Sequence, residues 1–227
     1  MTDEGQDSEP GVGSPERANW EWRTWRILFR TVLPPALNYR SRGVEHLPKG
    51  PALLMANHQS FLDPLLIGLP LRRPISYVAR DDLFEAPIVG SILRRTYVMP
   101  IRQSSAASSI RVPIARLKQG FYVGLFPEGE RTPDGEMLPL RPGFAALLRR
   151  APAPVVPVGI AGAFEAWPRH RRLPRPGRVR VVFGKPVDLS PHISKGRERS
   201  MLEIATGLIQ EVARDAAAWR SERSDDE

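Results

Sequence analysis

The stretch "NHQSFLD", residues 57–63, follows directly on an apolar run from Ala52 to Ala56. It sets His58 and Asp63 five positions apart. Imidazole is the side chain whose ordinary titration falls nearest neutral pH. If the intervening turn folds the carboxylate back onto the ring, one nitrogen donates to Asp63, which fixes tautomer and orientation. The other nitrogen is then free to take a proton from a substrate hydroxyl. General-base catalysis of this kind is worth roughly 10²–10⁴-fold in rate. The same pair also reads as a structural hydrogen bond, with Asp63 simply capping the helix that follows.

A second group of residues narrows the chemistry. "LFPEGERTPDG" ends another apolar run, and Pro127, Glu128 and Gly129 form a tight turn with Arg131 beyond it. A glycine turn lets a ligand approach the backbone closely. A carboxylate beside a guanidinium suits a polyol carrying a phosphate, with Glu128 accepting from hydroxyls and Arg131 forking onto the anion. Arg102 closes a third run, "TYVMPIR". Ser60 lies two residues from His58, a spacing that gives no reason to call it a nucleophile.

These residues need rigid elements behind them. "PALLMAN", "ISYVAR", "TYVMPIR", "FYVGLFPEG", "APVVPVGIAG" and "RVRVVFGKPV" read as strands. Between and after them, "DPLLIGLPL", "APIVGSILRR", "AASSIRVPIARLKQG", "RPGFAALLRR" and "SMLEIATGLIQEVARDAAAW" read as helices. The alternation predicts an α/β fold, a mostly buried β-sheet flanked by helices on both faces. In such sheets ligands gather at the carboxyl ends of the strands. His58, Arg102 and Glu128–Arg131 all fall just past predicted strands, so they can converge on one site. "VVPVGI" is expected to wall a groove for an apolar chain.

Residues 1–18 read as a disordered acidic arm and 221–227 as a disordered tail. Residues 19–37 read as an N-terminal amphipathic helix in which Trp22, Trp25, Phe29 and Val32/Leu33 recur at helical spacing, ended by Pro34 and Pro35. Arg23, Arg26 and Arg30 lie between the apolar positions. The clustering of Trp with Arg favours a membrane-interface helix over an ordinary helix packed on the domain, residues 38–220.

Charge is unevenly spread. Of 33 bases and 25 acids, one base and nine acids lie in residues 1–16 and 222–227, which leaves 32 bases against 16 acids in between. So basic a body calls for an anionic partner, or serves only solubility. The run "RHRRLPRPGRVR" adds Arg169, Arg171, Arg172, Arg175, Arg178 and Arg180, read as a loop that helps hold an anionic membrane surface. The bases do not fall on one helix interleaved with aromatics, so nucleic acid is not expected as a partner. The absence of cysteine excludes a disulfide framework and a thiolate nucleophile or metal site. No run is long and apolar enough for a transmembrane helix, and no signal peptide is visible.

Taken together in their order, these blocks resemble the glycerolipid acyltransferases, the lysophosphatidic acid (1-acylglycerol-3-phosphate) acyltransferase family. Its four blocks are matched by His58 and Asp63 within "NHQSFLD", by Arg102 closing "YVMPIR", by Phe126-Pro127-Glu128-Gly129 with Arg131, and by Val156-Pro157-Val158. The likeness spans roughly residues 38–190. Three positions depart from it: Glu130 stands in place of a small hydroxyl residue, Ile101 in place of aspartate, and "RPG" at 141–143 in place of a lysine-containing turn.

The resemblance implies that His58 deprotonates a lysophospholipid hydroxyl and Asp63 orients it. Arg102 and Arg131 bind the acceptor's phosphate, and Glu128 with Gly129 positions the glycerol. Acyl-CoA or acyl-ACP (acyl carrier protein) is the co-substrate, with no metal and no cofactor. The expected place is the cytoplasmic inner face of the membrane, peripherally bound, with activity rising through about pH 6–8 as for an ordinary histidine base. Other lysolipid acceptors, such as a lyso-ornithine lipid or a glycolipid, a basic nucleic-acid-binding protein and a catalytically dead scaffold are the competing readings.

Overall fold

The computed structural model describes residue 15 and residues 18–101, 106–192 and 198–222. The expected arm and tail, and Arg102, lie almost wholly outside that range. Among the described residues seven strands form one sheet: β1 (Arg40–Arg42), β2 (Ala52–Ala56), β3 (Ile75–Arg80), β4 (Val98–Ile101), β5 (Tyr122–Leu125), β6 (Val155–Ala161) and β7 (Arg180–Phe183). Their order is β1-β7-β6-β2-β5-β3-β4. From β6 to β4 every neighbouring pair is parallel, whereas β7 runs antiparallel to β6 and carries β1 parallel to itself.

Among the described residues seven α-helices accompany the sheet: α1 (Trp20–Ala36), α2 (Asp63–Gly68), α3 (Pro87–Arg95), α4 (Ala106–Lys118), α5 (Gly143–Arg150), α6 (Ala163–Ala166) and α7 (Glu198–Ser221). The central strands β2 and β6 are buried at every residue, which is why they read as continuous apolar runs rather than alternating ones. Alternate residues divide between two faces. Leu54, Ala56, Val156, Val158, Tyr77 and Tyr122 meet Leu62, Leu66 and Ile67 of the α2 region. Leu53, Met55, Val123 and Val155 meet Leu117, Phe144, Leu148, Met201, Ala205 and Ile209 of α4, α5 and α7.

Three expectations change here. Pro34 and Pro35 lie inside α1 rather than ending it. They occupy its last turn, where each proline removes only one N–H donor, and the Pro34 carbonyl still accepts from Tyr39. The tryptophan stripe faces the domain: Trp22, Trp25, Phe29 and Leu33 are half-buried, with Phe29 and Leu33 against the core. The apolar residues that α1 leaves exposed are Trp20, Ile27, Leu28 and Val32. Finally, "VVPVGI" lines no groove: Val156, Val158 and Ile160 pack under α2, and α7 covers the opposite side of β6. β1 was not foreseen, because a three-residue edge strand made of Arg-Ser-Arg carries no apolar pattern.

Candidate active site

At the end of β2 the chain leaves the sheet under tight control. Asn57 Nδ2 donates to the Ile160 carbonyl at 2.9 Å, and its Oδ1 accepts from the Ile160 N–H at 2.8 Å. That pins the loop to the end of β6. Strand parity then carries His58 to the same face as Ala52, Leu54 and Ala56. Its backbone is held from both sides by the segment after β5: the N–H donates to Glu128 Oε1 at 2.6 Å, and the carbonyl accepts from the Thr132 N–H at 2.9 Å. The imidazole stacks on Phe126, centroid to centroid 4.0 Å, with the planes 17° apart.

His58 Nδ1 lies 2.8 Å from Oδ2 of Asp63. The same oxygen accepts the N–H groups of Gln59 at 2.6 Å and Ser60 at 2.7 Å. An oxygen meeting two backbone donors acts as acceptor to the ring as well, so the proton sits on Nδ1 and Nε2 is left as the basic nitrogen. Asp63 is wholly buried, while the His58 side chain keeps 18% exposure. Of the two readings of this aspartate, helix cap and ring orienter, the geometry is that of the orienter. Asp63 is the first residue of α2, but its side chain bonds backward to the preceding turn, and the N-cap position, Leu62, makes no side-chain cap bond.

Glu128 occupies a different place from the one its residue type invites. Its side chain is buried, with Oε1 on the His58 N–H and Oε2 accepting from the Leu138 N–H at 2.7 Å. Burial pushes its carboxyl above the usual range, and the two amide donors pull it back. It braces the loop that carries His58 instead of standing open to a ligand. Gly129 adopts φ 79°, a left-handed conformation that glycine alone takes without cost, and the Arg141 side chain lies across it.

Arg131 is half-buried, with its guanidinium 3.4 Å from the centre of the Phe61 ring. Its Nη1 is buried without a hydrogen-bond partner. Burial and neighbouring Arg169 lower its pKa, and the Asp63 charge acts the other way. A guanidinium donor held this way suits an incoming anion. Glu130 pairs with Arg141 at 3.2 Å and Arg169 at 3.8 Å, so the unusual acid at this position draws two exposed cations together.

The structure therefore brings His58, Asp63, Glu128, Gly129 and Arg131 to one end of the sheet, at the carboxyl ends of β2, β5 and β6. Arg102 follows β4 in the chain and lies outside the described residues; β4 itself stands three strands from β2. Sequence reasoning missed the brackets, Asn57 and Thr132, because a side-chain amide or a backbone N–H that finds its partner across the fold leaves no pattern in one sequence. Among the described residues no three His, Asp or Glu side chains gather as metal ligands.

The model of the acyltransferase family matches residues 38–161, a span that contains the His58–Asp63 pair and the Glu128–Arg131 turn. The chain belongs to the acyltransferase family. Among its relatives is the 1-acyl-sn-glycerol-3-phosphate acyltransferase of Bacillus subtilis, 31% identical over 174 residues, which are 74% of this chain and 84% of that protein. The enzyme of the same name in Pseudomonas aeruginosa is 28% identical over 86% of this chain and 72% of its own. A chloroplastic 1-acyl-sn-glycerol-3-phosphate acyltransferase of Arabidopsis thaliana is 29% identical, and the match spans 44% of its length. The crystal structure of the 1-acyl-sn-glycerophosphate acyltransferase of Thermotoga maritima superposes with a TM-score of 0.72 at 25% identity, covering 89% of this chain and 81% of that one. The parallel core with its antiparallel edge is thus an acyltransferase fold, and the sheet end just described is its candidate active site.

Proposed function

We propose that this acyltransferase moves a fatty acyl group from acyl-CoA or acyl carrier protein to the free hydroxyl of 1-acyl-glycerol-3-phosphate, making phosphatidic acid for phospholipid synthesis. The observation that carries the reading is the His58–Asp63 pair: a ring whose Nδ1 is tied to a buried carboxylate and whose Nε2 has no bond among the described residues. Arg131, beside that pair with a buried unpartnered nitrogen, supports an acceptor bearing a phosphate. The names of the bacterial relatives support the same acceptor.

In this reading Nε2 takes the hydroxyl proton as the acceptor oxygen bonds to the thioester carbonyl carbon. Asp63 stabilises the imidazolium that forms. The tetrahedral intermediate collapses, the C–S bond breaks, and His58 returns the proton to the leaving thiolate. The thioester is already activated, so no covalent acyl-enzyme is needed. Arg131, with Arg102, holds the phosphate. Glu128 acts on the reaction by holding the backbone of His58, with Gly129 shaping the turn around it.

A peripheral position on the inner face of the membrane goes with a lipid acceptor. Its support is the apolar set that α1 exposes, Trp20, Ile27, Leu28 and Val32, with Phe61 and Leu173 exposed as well. No helix among the described residues is long and apolar enough to cross a membrane. One observation favours a second acceptor: Glu130 engages Arg141 and Arg169, cations that otherwise remain available to a phosphate. A lysolipid with a less anionic headgroup fits that pairing.

The test is acyl transfer in liposomes with lysophosphatidic acid and labelled acyl-CoA, repeated with acyl carrier protein as donor, with His58→Ala in parallel. Phosphatidic acid from the wild type and none from the variant is the expected result. No product with either donor from folded enzyme removes this acceptor, and product on another lysolipid installs the second reading.

A further inference from the structure

Asp63 has two carboxylate oxygens, and only one is accounted for. Oδ2 takes the ring of His58 and two backbone amides, whereas Oδ1 is buried with no hydrogen-bond partner. A second buried polar atom on the same face of the sheet is equally alone: the hydroxyl of Tyr77, on a residue 6% exposed. A buried acceptor without a donor and a buried donor without an acceptor each carry a desolvation cost that an unmatched pair does not recover.

The Tyr77 ring lies in a row of rings that ends at His58, the hydrogen-bond partner of Asp63. Tyr77 pairs with Gly124 in the β3–β5 register, and a Cβ on Gly124 would collide with the ring. The missing side chain lets the phenol lie flat across β5 towards β2. There it runs parallel to Phe126, 6.1 Å away with the planes 9° apart, and Phe126 in turn stacks on His58. Tyr77, Phe126 and His58 thus form a row of near-parallel rings, on the face of the sheet that α2 covers. Burial holds the Tyr77 hydroxyl protonated, and the charge of Asp63 contributes in the same direction.

We propose that Tyr77 is a positioning residue for catalysis: its hydroxyl is the hydrogen-bond donor for Oδ1 of Asp63, across one bridging water, and so fixes the carboxylate that fixes His58. A buried bridging water of this kind needs polar partners on both sides, and the two atoms supply them. The other titratable groups around the pair are Glu128 on the β5 turn, Arg131 beyond it, and Tyr39 after α1, whose own hydroxyl is engaged by the Leu66 carbonyl at 2.8 Å. Of these, Arg131 also holds a buried donor without a partner, Nη1, but its guanidinium lies over the Phe61 ring, whereas the Tyr77 hydroxyl belongs to the row of rings that ends at His58. The role is a consequence of two residue choices made together, a tyrosine at 77 and a glycine at 124.

The inference rests on His58 as the base, and its test separates the two. In Tyr77→Phe the carboxylate loses a donor and becomes a stronger acceptor towards the ring. The low-field Nδ1–H resonance of His58, assigned by its loss in His58→Gln, is expected to move further downfield. The acid limb of the kcat/KM profile is expected to move to higher pH, and kcat to fall roughly 3- to 10-fold with KM little changed. The melting temperature is expected to stay level or fall. An unmoved resonance overturns the proposal, as does a rise in melting temperature, because deleting a hydroxyl that has no partner relieves a cost. A shifted resonance in a protein that transfers no acyl group to lysophosphatidic acid upholds Tyr77 and rejects the acceptor.

Discussion

Glu128→Gln separates a brace from a substrate contact. In the wild type each carboxylate oxygen accepts one backbone N–H, from His58 at 2.6 Å and from Leu138 at 2.7 Å, in a side chain 2% exposed. A hydrogen bond to a charged group is worth about 1.5–3 kcal/mol. Glutamine keeps the shape, but one of its two ends is an NH2 group, so one backbone N–H must face another donor. The remaining bond weakens to that of a neutral pair. Losing one charge-assisted bond and burying an unpaired donor gives a destabilisation of about 2–4 kcal/mol. For a chain of this size, about 2–4 °C is lost per kcal/mol, so the melting temperature drops by roughly 4–16 °C. The His58 backbone loosens with it, so kcat falls while KM for the acceptor changes little. The assays are thermal unfolding by circular dichroism and steady-state kinetics on mixed micelles. An unchanged melting temperature together with a raised KM refutes the brace and returns Glu128 to the acceptor's hydroxyls.

Asp63→Asn removes the charge that faces the imidazolium at 2.8 Å; with an effective dielectric of about 20 that interaction is worth about 6 kcal/mol, so kcat is expected to fall roughly 10⁴-fold. A loss of less than tenfold in steady-state assays rejects Asp63 as the orienter. Glu130→Gln releases Arg141 and Arg169, and KM for an anionic lysolipid is expected to fall a few-fold at low salt and to converge with wild type at high salt; equal KM at all salt concentrations counts against a phosphate near these cations. Burial raises the pKa of Tyr39 and Tyr77 above the ordinary 10.0, so in the fold both phenols stay protonated where the unfolded chain ionises. Their contribution to stability is complete below pH 10 and is lost as pH climbs through the raised values. Tyr39→Phe is therefore expected to show a shallower alkaline limb of stability in denaturant titrations from pH 9 to 12, and parallel limbs would show that Tyr39 ionises alike in both states.

The α/β class, the placing of strands and helices, and the position of His58 and Arg131 past strand ends were all legible, because they depend on local pattern. A fully buried parallel strand leaves a continuous apolar run, and a turn that needs positive φ leaves a glycine at 129. Misreadings arose where one pattern serves two surroundings. The tryptophan stripe of α1 has the spacing of any half-buried helix, and nothing along the chain says whether lipid or protein covers it. The apolar run at 155–160 reads alike as the wall of a groove and as the centre of a sheet. Strand order decides between them, and strand order is set by contacts across long stretches of chain.

The sequence by itself determined the chemical inventory: a base, a carboxylate five positions on, a glycine turn with an arginine, and an excess of positive charge between acidic ends. Those are properties of residue types and short spacings, and short spacings survive folding. Only the tertiary structure decided how each group is used. It turned Asp63 back onto His58 and away from capping α2, and closed both oxygens of Glu128 on backbone amides. It also laid Tyr77 across Gly124 into a row of rings with Phe126 and His58. The reason is that a buried polar group must find its partner wherever the fold has brought one. The N–H of residue 138 or the phenol of residue 77 becomes a neighbour of this site only once β2, β3 and β5 lie side by side.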